Sequence, residues 1–269
     1  MKRKQLQRRY CTCCNRKQFT ENMQHVYYRL LKKHAWHCNY CLSATQDNLQ
    51  ILPGEKEKYF LELFSGSKTV SYVAEKDFHY RVFNIDNNAA FNPALCTDIA
   101  KLSIKMIPDS KRVFCLWASV PCQFFTVMNI KDHWDKITYS HRQYYYIPKT
   151  KQARQAIQLL EKTLWIIKTI NPVYYFIENP RGALRHCPQI NFAPFLYTVS
   201  YSDFNTEYYK PTDIFTNCSF LTLPKVRSSV GRKFKQILDL STSFERSIVP
   251  PGLVSKILQQ IEERHFNPA

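Results

Sequence analysis

At 269 residues the chain can form one large domain and a small accessory one, and no apolar run approaches the ~20 residues that a membrane-crossing helix needs. Its 38 Lys and Arg against 21 Asp and Glu leave a formal net charge of +17. That excess is far beyond what solubility requires; it points to a polyanionic partner, nucleic acid first and an anionic membrane surface second.

The opening MKRKQLQRRY carries the charge of a secretory leader, but no apolar stretch follows it, so an intracellular protein is expected. Five of the ten cysteines lie in the first 41 residues. In an intracellular chain such a cluster reads as a metal site, whereas scattered thiols read as core or catalytic. Cys11-x-x-Cys14 and Cys38-x-x-Cys41, with 23 residues between the pairs, form two knuckles that suit tetrahedral zinc. Cys13, His25, His34 and His37 are alternate ligands. The blander reading is a set of unmetallated thiols in a loose arm, but a segment this short needs something to hold it together. Lys2, Arg3, Lys4, Arg8, Arg9, Arg16, Lys17, Lys32 and Lys33 suit phosphate contact; a structural brace or a protein-docking surface fits equally. Residues 1–52 are therefore expected to be a basic Cys/His-rich zinc module. Pro53-Gly54 in LPGEKEK then marks a linker into a second domain, 53–269.

From Tyr59 onward YFLELF, RVFNID, RVFCLWAS, VYYFIEN and TDIFTN are short aromatic and β-branched runs, as in strands buried on both faces of a parallel sheet. TVSYVAEKDF predicts a first helix. Over 151–170, Ala153, Ile157, Leu160, Leu164 and Ile167 recur at 4-3-4-3 spacing and mark one helix face, which Asn171-Pro172 ends. A last helix begins at Pro250-Pro251. Strands alternating with helices predict an α/β domain with a mostly parallel sheet.

The ends of these strands carry candidate chemistry, with thiol and acid expected at the same edge of one sheet. LELFSGSKTVS places Ser65-Gly66-Ser67 between a strand and a helix start, where a glycine lets a ligand approach backbone N–H groups. Asp86 ends the next strand, 86 − 66 = 20 residues on, a distance that suits an acid accepting ribose hydroxyls. Asp98 in CTDIAKL is placed for an adenine edge or, about as well, for a helix cap. CLWASVPCQFF brings Cys122 to the end of an apolar run, and YFIENP brings Glu178 to the end of another. A nucleophilic thiol beside a proton donor is what attack on an electron-poor ring requires; the alternative is an inert buried thiol. Cys115, inside its run, is core. Residues 129–152, basic and rich in His and Tyr, suit a mobile loop closing over DNA, with aromatic groups for stacking; for any single residue there a solvated loop with some packed tyrosines fits at least as well.

From about Tyr59 to Ile257 the chain resembles the DNA (cytosine-5) methyltransferases, closest to the short forms carried by phages and large viruses. LELFSGS is similar to the S-adenosylmethionine loop, FNIDNN to the ribose-binding acid, CTDI to the adenine segment and ASVPCQ to the nucleophile loop. FIENP is similar to the Glu-Asn motif, YYKPTDIFTN to the basic segment before the last strand, and RSIVPPGLVSKIL to the closing helix. Each motif is weak alone; their joint order is specific. The resemblance implies a Rossmann-like S-adenosylmethionine-dependent α/β sheet preceded by a small zinc module. It also implies a viral enzyme, expected as a monomer in a host cytoplasm or nucleus, with DNA as partner and no membrane. It places Cys122, Glu178, Asn179 and Lys210 in catalysis and Phe64, Ser65, Gly66, Ser67, Asp86, Asp98, Ser119 and Pro121 around the cofactor.

The implied reaction flips cytosine out of the duplex, adds the Cys122 thiolate to C6 while Glu178 protonates N3, and methylates C5. The excess positive charge favours a thiolate. Four departures stand out. Lys68 replaces the second loop glycine, Val120 and Gln123 flank the Pro-Cys pair, and Tyr209-Lys210-Pro211-Thr212 lacks the usual arginines. Only about 28 residues, Cys218 to Glu245, precede the closing motif, too few for a large target-recognition domain. A catalytically inactive DNA-binding or regulatory protein of the same fold, and an RNA cytosine-5 methyltransferase, are the rival readings.

Overall fold

The computed structural model describes residues 58–140, 143–226, 245 and 247–266, together with the backbones of four short N-terminal strands. Those strands pair in two antiparallel hairpins, β1 (Arg8–Tyr10) with β2 (Lys17–Phe19), and β3 (Met23–Tyr28) with β4 (Lys33–Cys38). The expected zinc ligands Cys11, Cys14 and Cys41 lie outside the described residues, as does most of the expected linker, and of Cys38 only the backbone is described.

Seven strands build the main sheet: β5 (Tyr59–Leu63), β6 (Arg81–Asp86), β7 (Leu95–Cys96), β8 (Cys115–Ser119), β11 (Tyr174–Pro180), β12 (Phe195–Ser200) and β13 (Pro211–Thr216), in the order β12-β13-β11-β8-β5-β6-β7. The five from β11 to β7 run parallel; β13 pairs antiparallel with β11, and β12 antiparallel with β13. From β5 the chain winds outward through β6 and β7. It then returns to β8 on the other side, so the order reverses between β5 and β8, where open α/β sheets hold ligands.

The sheet is covered on both faces, which is why its strands lack a polar side. Side chains alternate with the two-residue strand period. Leu61, Leu63, Leu116, Ala118, Ile177 and Phe215 join one core cluster with α2 (Lys151–Ile170). Phe60, Cys115, Trp117, Phe176 and Ile214 join the other with Val70 and Val73 of α1 (Thr69–Lys76) and Leu253, Ile257 and Ile261 of α3 (Pro251–His265). The five residues of the 4-3-4-3 stripe on α2 are all buried. Thr150 caps that helix, its hydroxyl accepting the Ala153 N–H at 3.2 Å, a bond worth about 1 kcal/mol. Asn171 stops the helix in the left-handed region at φ 52°.

Two regions differ from expectation. The predicted mobile loop 129–152 contains a helical turn, Ile130–His133, and an antiparallel hairpin of β9 (Trp134–Ser140) and β10 (Gln143–Pro148). Trp134 anchors the hairpin in the core, stacked on Phe125 at 5.4 Å and donating its indole N–H to the Phe124 carbonyl at 2.6 Å. β12 was not anticipated, because an edge strand with one protected face shows only a short alternation (Val199 in, Leu196 out).

Candidate active site

The buried run Cys115–Ala118 carries β8 to the carboxyl edge of the sheet, where the chain turns through Val120, Pro121 and Cys122. Val120 is buried, Pro121 exposed and the Cys122 thiol half-buried. The turn is closed locally, the Cys122 carbonyl accepting the N–H groups of Phe125 at 2.8 Å and Thr126 at 3.1 Å. It is also held from β11 and the segment after it. Asn179 Nδ2 donates to the Val120 carbonyl at 2.8 Å, and the Ala183 N–H donates to the Phe125 carbonyl at 2.7 Å. Thr126 and Gly182 form an isolated bridge. The parallel register sets Glu178 beside Ser119, three residues before Cys122. Thiol and acid therefore share one sheet edge, and Asn179 joins their two loops.

Glu178 is 5% exposed. Burial raises its carboxyl above the ordinary range, with Asp213 adding to that, while the Lys210 charge and the Tyr201 hydrogen bond pull it back. Tyr201, fully buried on the turn after β12, donates its hydroxyl to Glu178 Oε1 at 2.8 Å. Lys210 is buried too, its Nζ 4.5 Å from the centre of the Tyr201 ring. Asp213, one strand over, is paired with Arg185: Nε donates to Oδ2 at 2.9 Å and Nη2 to Oδ1. Thr198 on β12 bonds both partners. Tyr201, Arg185 and Asp213 escaped the sequence reading. A tyrosine or arginine carries no local signal of the acid it will meet, although the alternating FLYTVSY could have located β12.

The expected cofactor residues gather at the neighbouring strand ends. Phe64, Gly66 and Lys68 take φ of 60°, 45° and 58°, a tight left-handed path between β5 and α1. A Cβ on Gly66 would find nothing within 4 Å. Asp86, at the end of β6, accepts the Gly66 N–H on Oδ2 and the Asn88 N–H on Oδ1, both at 2.8 Å, so it braces the loop it was expected to serve. Ser65 Oγ and Asn179 Oδ1 are buried without a hydrogen-bond partner among the described residues. Ser67 Oγ lies 2.9 Å from Thr69 Oγ1, and Ser119 Oγ accepts the Trp117 indole N–H at 3.0 Å. Asp98 is exposed and caps its own turn, accepting the Ala100 N–H at 2.9 Å. Lys68 keeps the left-handed backbone that a glycine would adopt, and its Nζ donates to the Asn92 carbonyl at 3.0 Å.

Beneath this loop Glu62 is wholly buried on β5 and accepts the Ser71 N–H at 3.0 Å and the Ser71 hydroxyl. Burial pushes its carboxyl up to about 8, the Ser71 bonds opposing the rise, Asp86 adding to it and Lys68 opposing it. Among the described residues no cluster of His, Cys, Asp and Glu could hold a metal ion, and no helix is long and apolar enough to cross a membrane.

No protein-family model matches the chain, and no curated protein sequence matches it. Among solved structures it is similar to the Dnmt2 methyltransferase of S. pombe, with a TM-score of 0.40 and 18% identity over 67% of this chain and 59% of that one. It is also similar to a type I restriction-modification system methyltransferase subunit from Streptococcus thermophilus, with a TM-score of 0.37 and 13% identity over 78% of this chain and 46% of the other. The chain thus spans less than two thirds of the length of either.

Proposed function

We propose that the chain transfers a methyl group from S-adenosylmethionine to C5 of cytosine in DNA through a covalent Cys122 adduct. The observation that carries the reading is the joint placement of Cys122 and Glu178, with Asn179 bonded to Val120 between them at 2.8 Å. The loop around Gly66 fits a nucleoside-bearing cofactor: it is open, Ser65 offers an orphaned hydroxyl, and each Asp86 oxygen bonded to one backbone N–H retains lone pairs for ribose hydroxyls. Bound there, S-adenosylmethionine supplies an electrophilic methyl group.

The protein's own residues do the rest. Cys122 Sγ adds to C6 of the flipped base while Glu178, whose carboxyl burial raises above its ordinary range, gives a proton to N3. C5 then gains the electron density needed to take the methyl group. Loss of the C5 proton and expulsion of the thiolate restore the ring. Asn179 holds the thiol turn at its distance from the acid. In the same reading residues 1–52 form a module in which Cys11, Cys14, Cys38 and Cys41 bind structural zinc, which elemental analysis of purified protein checks. Residues 53–269 form the catalytic domain of an intracellular monomer.

The test is covalent trapping on a duplex carrying 5-fluorocytosine, with S-adenosylmethionine present. A denaturation-resistant adduct that disappears in Cys122→Ser is expected. DNA binding with no adduct across varied sequences would favour the non-catalytic reading, and an adduct formed only on the matching RNA would move the substrate to RNA.

A further inference from the structure

Glu178 has two oxygens, and the reaction proposed above needs the proton on a particular one. We infer that Tyr201 is a positioning residue for Glu178: its hydroxyl occupies Oε1 as a donor and thereby places the acid proton on Oε2. The inference rests on the proposed function for its meaning, but its geometry is independent of it. Tyr201 is 0% exposed, its hydroxyl lies 2.8 Å from Oε1, and its own N–H donates to the Lys210 carbonyl at 3.1 Å, so ring and backbone are both fixed. Burial and the neighbouring Glu178 raise the phenol well above its ordinary range, so it stays a neutral donor throughout. A carboxylic acid whose Oε1 accepts a hydrogen bond keeps that oxygen as its carbonyl and carries its proton on the other.

The chemistry then balances through one path. As Sγ bonds to C6, the C5–C6 π pair shifts to C4–C5 and the C4–N3 pair moves to N3. N3 takes the proton from Oε2, and Glu178 is left as a carboxylate. Tyr201 keeps its proton and stabilises that carboxylate through the bond already made, with the buried Lys210 cation beside it. The other groups facing this carboxyl are Tyr208 and Asp213, Arg185 neutralises Asp213, and Thr212 faces the Tyr201 phenol. Tyr201 thus performs an orienting task in a segment where Tyr209-Lys210-Pro211-Thr212 offers no arginine.

The experiment compares the pH dependence of 5-fluorocytosine trapping in the wild-type protein and in Tyr201→Phe, with melting temperature measured for both. Removing the donor destabilises the carboxylate. The variant is therefore expected to trap about tenfold more slowly at neutral pH, with the midpoint of its high-pH decline moved upward. A purely structural tyrosine would lower the melting temperature and leave that midpoint in place, which would overturn the inference. So would an unchanged rate and midpoint. If Tyr201→Phe does not fold, difluorotyrosine placed at position 201 keeps the size and strengthens the donor. The midpoint should then move downward, and no movement overturns the inference. Absence of trapping by the wild-type protein, on DNA and RNA alike, defeats the proposed function instead.

Discussion

Gly182 lies so close to Phe125 that a Cβ built on it would sit 2.0 Å from the Phe125 carbonyl oxygen and 3.0 Å from its carbon. Both obstacles are backbone, so no side chain can swing aside. This contact, with the Ala183 N–H on the same carbonyl, is what clamps the turn carrying Cys122 to the segment that follows Glu178. Gly182→Ala should force the two segments apart at a cost of about 2–3 kcal/mol, read as a lower urea midpoint at unchanged slope. Trapping should fall further than stability alone explains, because the thiol shifts relative to the acid. Wild-type stability in Gly182→Ala would contradict the clamp.

Arg185 and Asp213 form a pair in which the side chains are 19% and 1% exposed. Removing the arginine leaves a buried carboxylate that keeps the Thr198 hydroxyl bond but loses its guanidinium, which costs about 3 kcal/mol or more. Arg185→Ala should therefore be strongly destabilising in urea, and Asp213→Asn in the same chain should recover part of the loss. Arg185→Lys should not substitute, since an ammonium cannot bond both oxygens and Thr198 in one plane.

Much of the architecture was legible because burial on both faces leaves a plain signal. The five apolar runs became five strands of the sheet, and the 4-3-4-3 stripe became the buried face of α2. The gathering of the Gly66 loop, Asp86, Cys122 and Glu178 at one edge followed from the parallel order alone, since every parallel strand delivers its next loop to that edge. What stayed hidden was set by tertiary partners. The 129–152 segment reads as polar because its hairpin is anchored chiefly through Trp134, and Glu62 reads as an ordinary strand residue until Ser71 is seen capping it. Tyr201 meets Glu178 only because β12 and β13 pair antiparallel and return the chain to β11.

Lys68 holds φ at 58°, in the region where a side chain costs about 1 kcal/mol. Its compensation is the Nζ bond to Asn92, which is exposed. Two substitutions separate these effects. Lys68→Ala loses the bond and keeps the backbone cost; Lys68→Gly loses the bond and removes it. The glycine variant should be more stable than the alanine variant by about 1 kcal/mol in thermal or urea unfolding. Equal stability would mean that the loop has another conformation in solution.

Glu62 makes stability depend on pH in a definite direction. Its carboxyl is raised from an ordinary 4.5 to about 8 in the folded protein. Between those values the folded state holds a proton that the unfolded state has released, so stability falls as pH rises. The contribution is fully present below pH 4.5 and is lost as pH passes through about 8. Glu62→Gln keeps an oxygen to accept the Ser71 N–H and hydroxyl but cannot ionise. It should match the wild type near pH 5 and exceed it by an amount on the order of a few kcal/mol at pH 9. Asp86 and Lys68 face the same carboxyl, so the variant should also alter the pH dependence of ligand binding at the Gly66 loop. Melting temperatures of the two proteins across pH 5 to 9 decide the matter: curves that remain parallel would show that Glu62 is ionised in the folded state, stabilised by Ser71 more than it is penalised by burial.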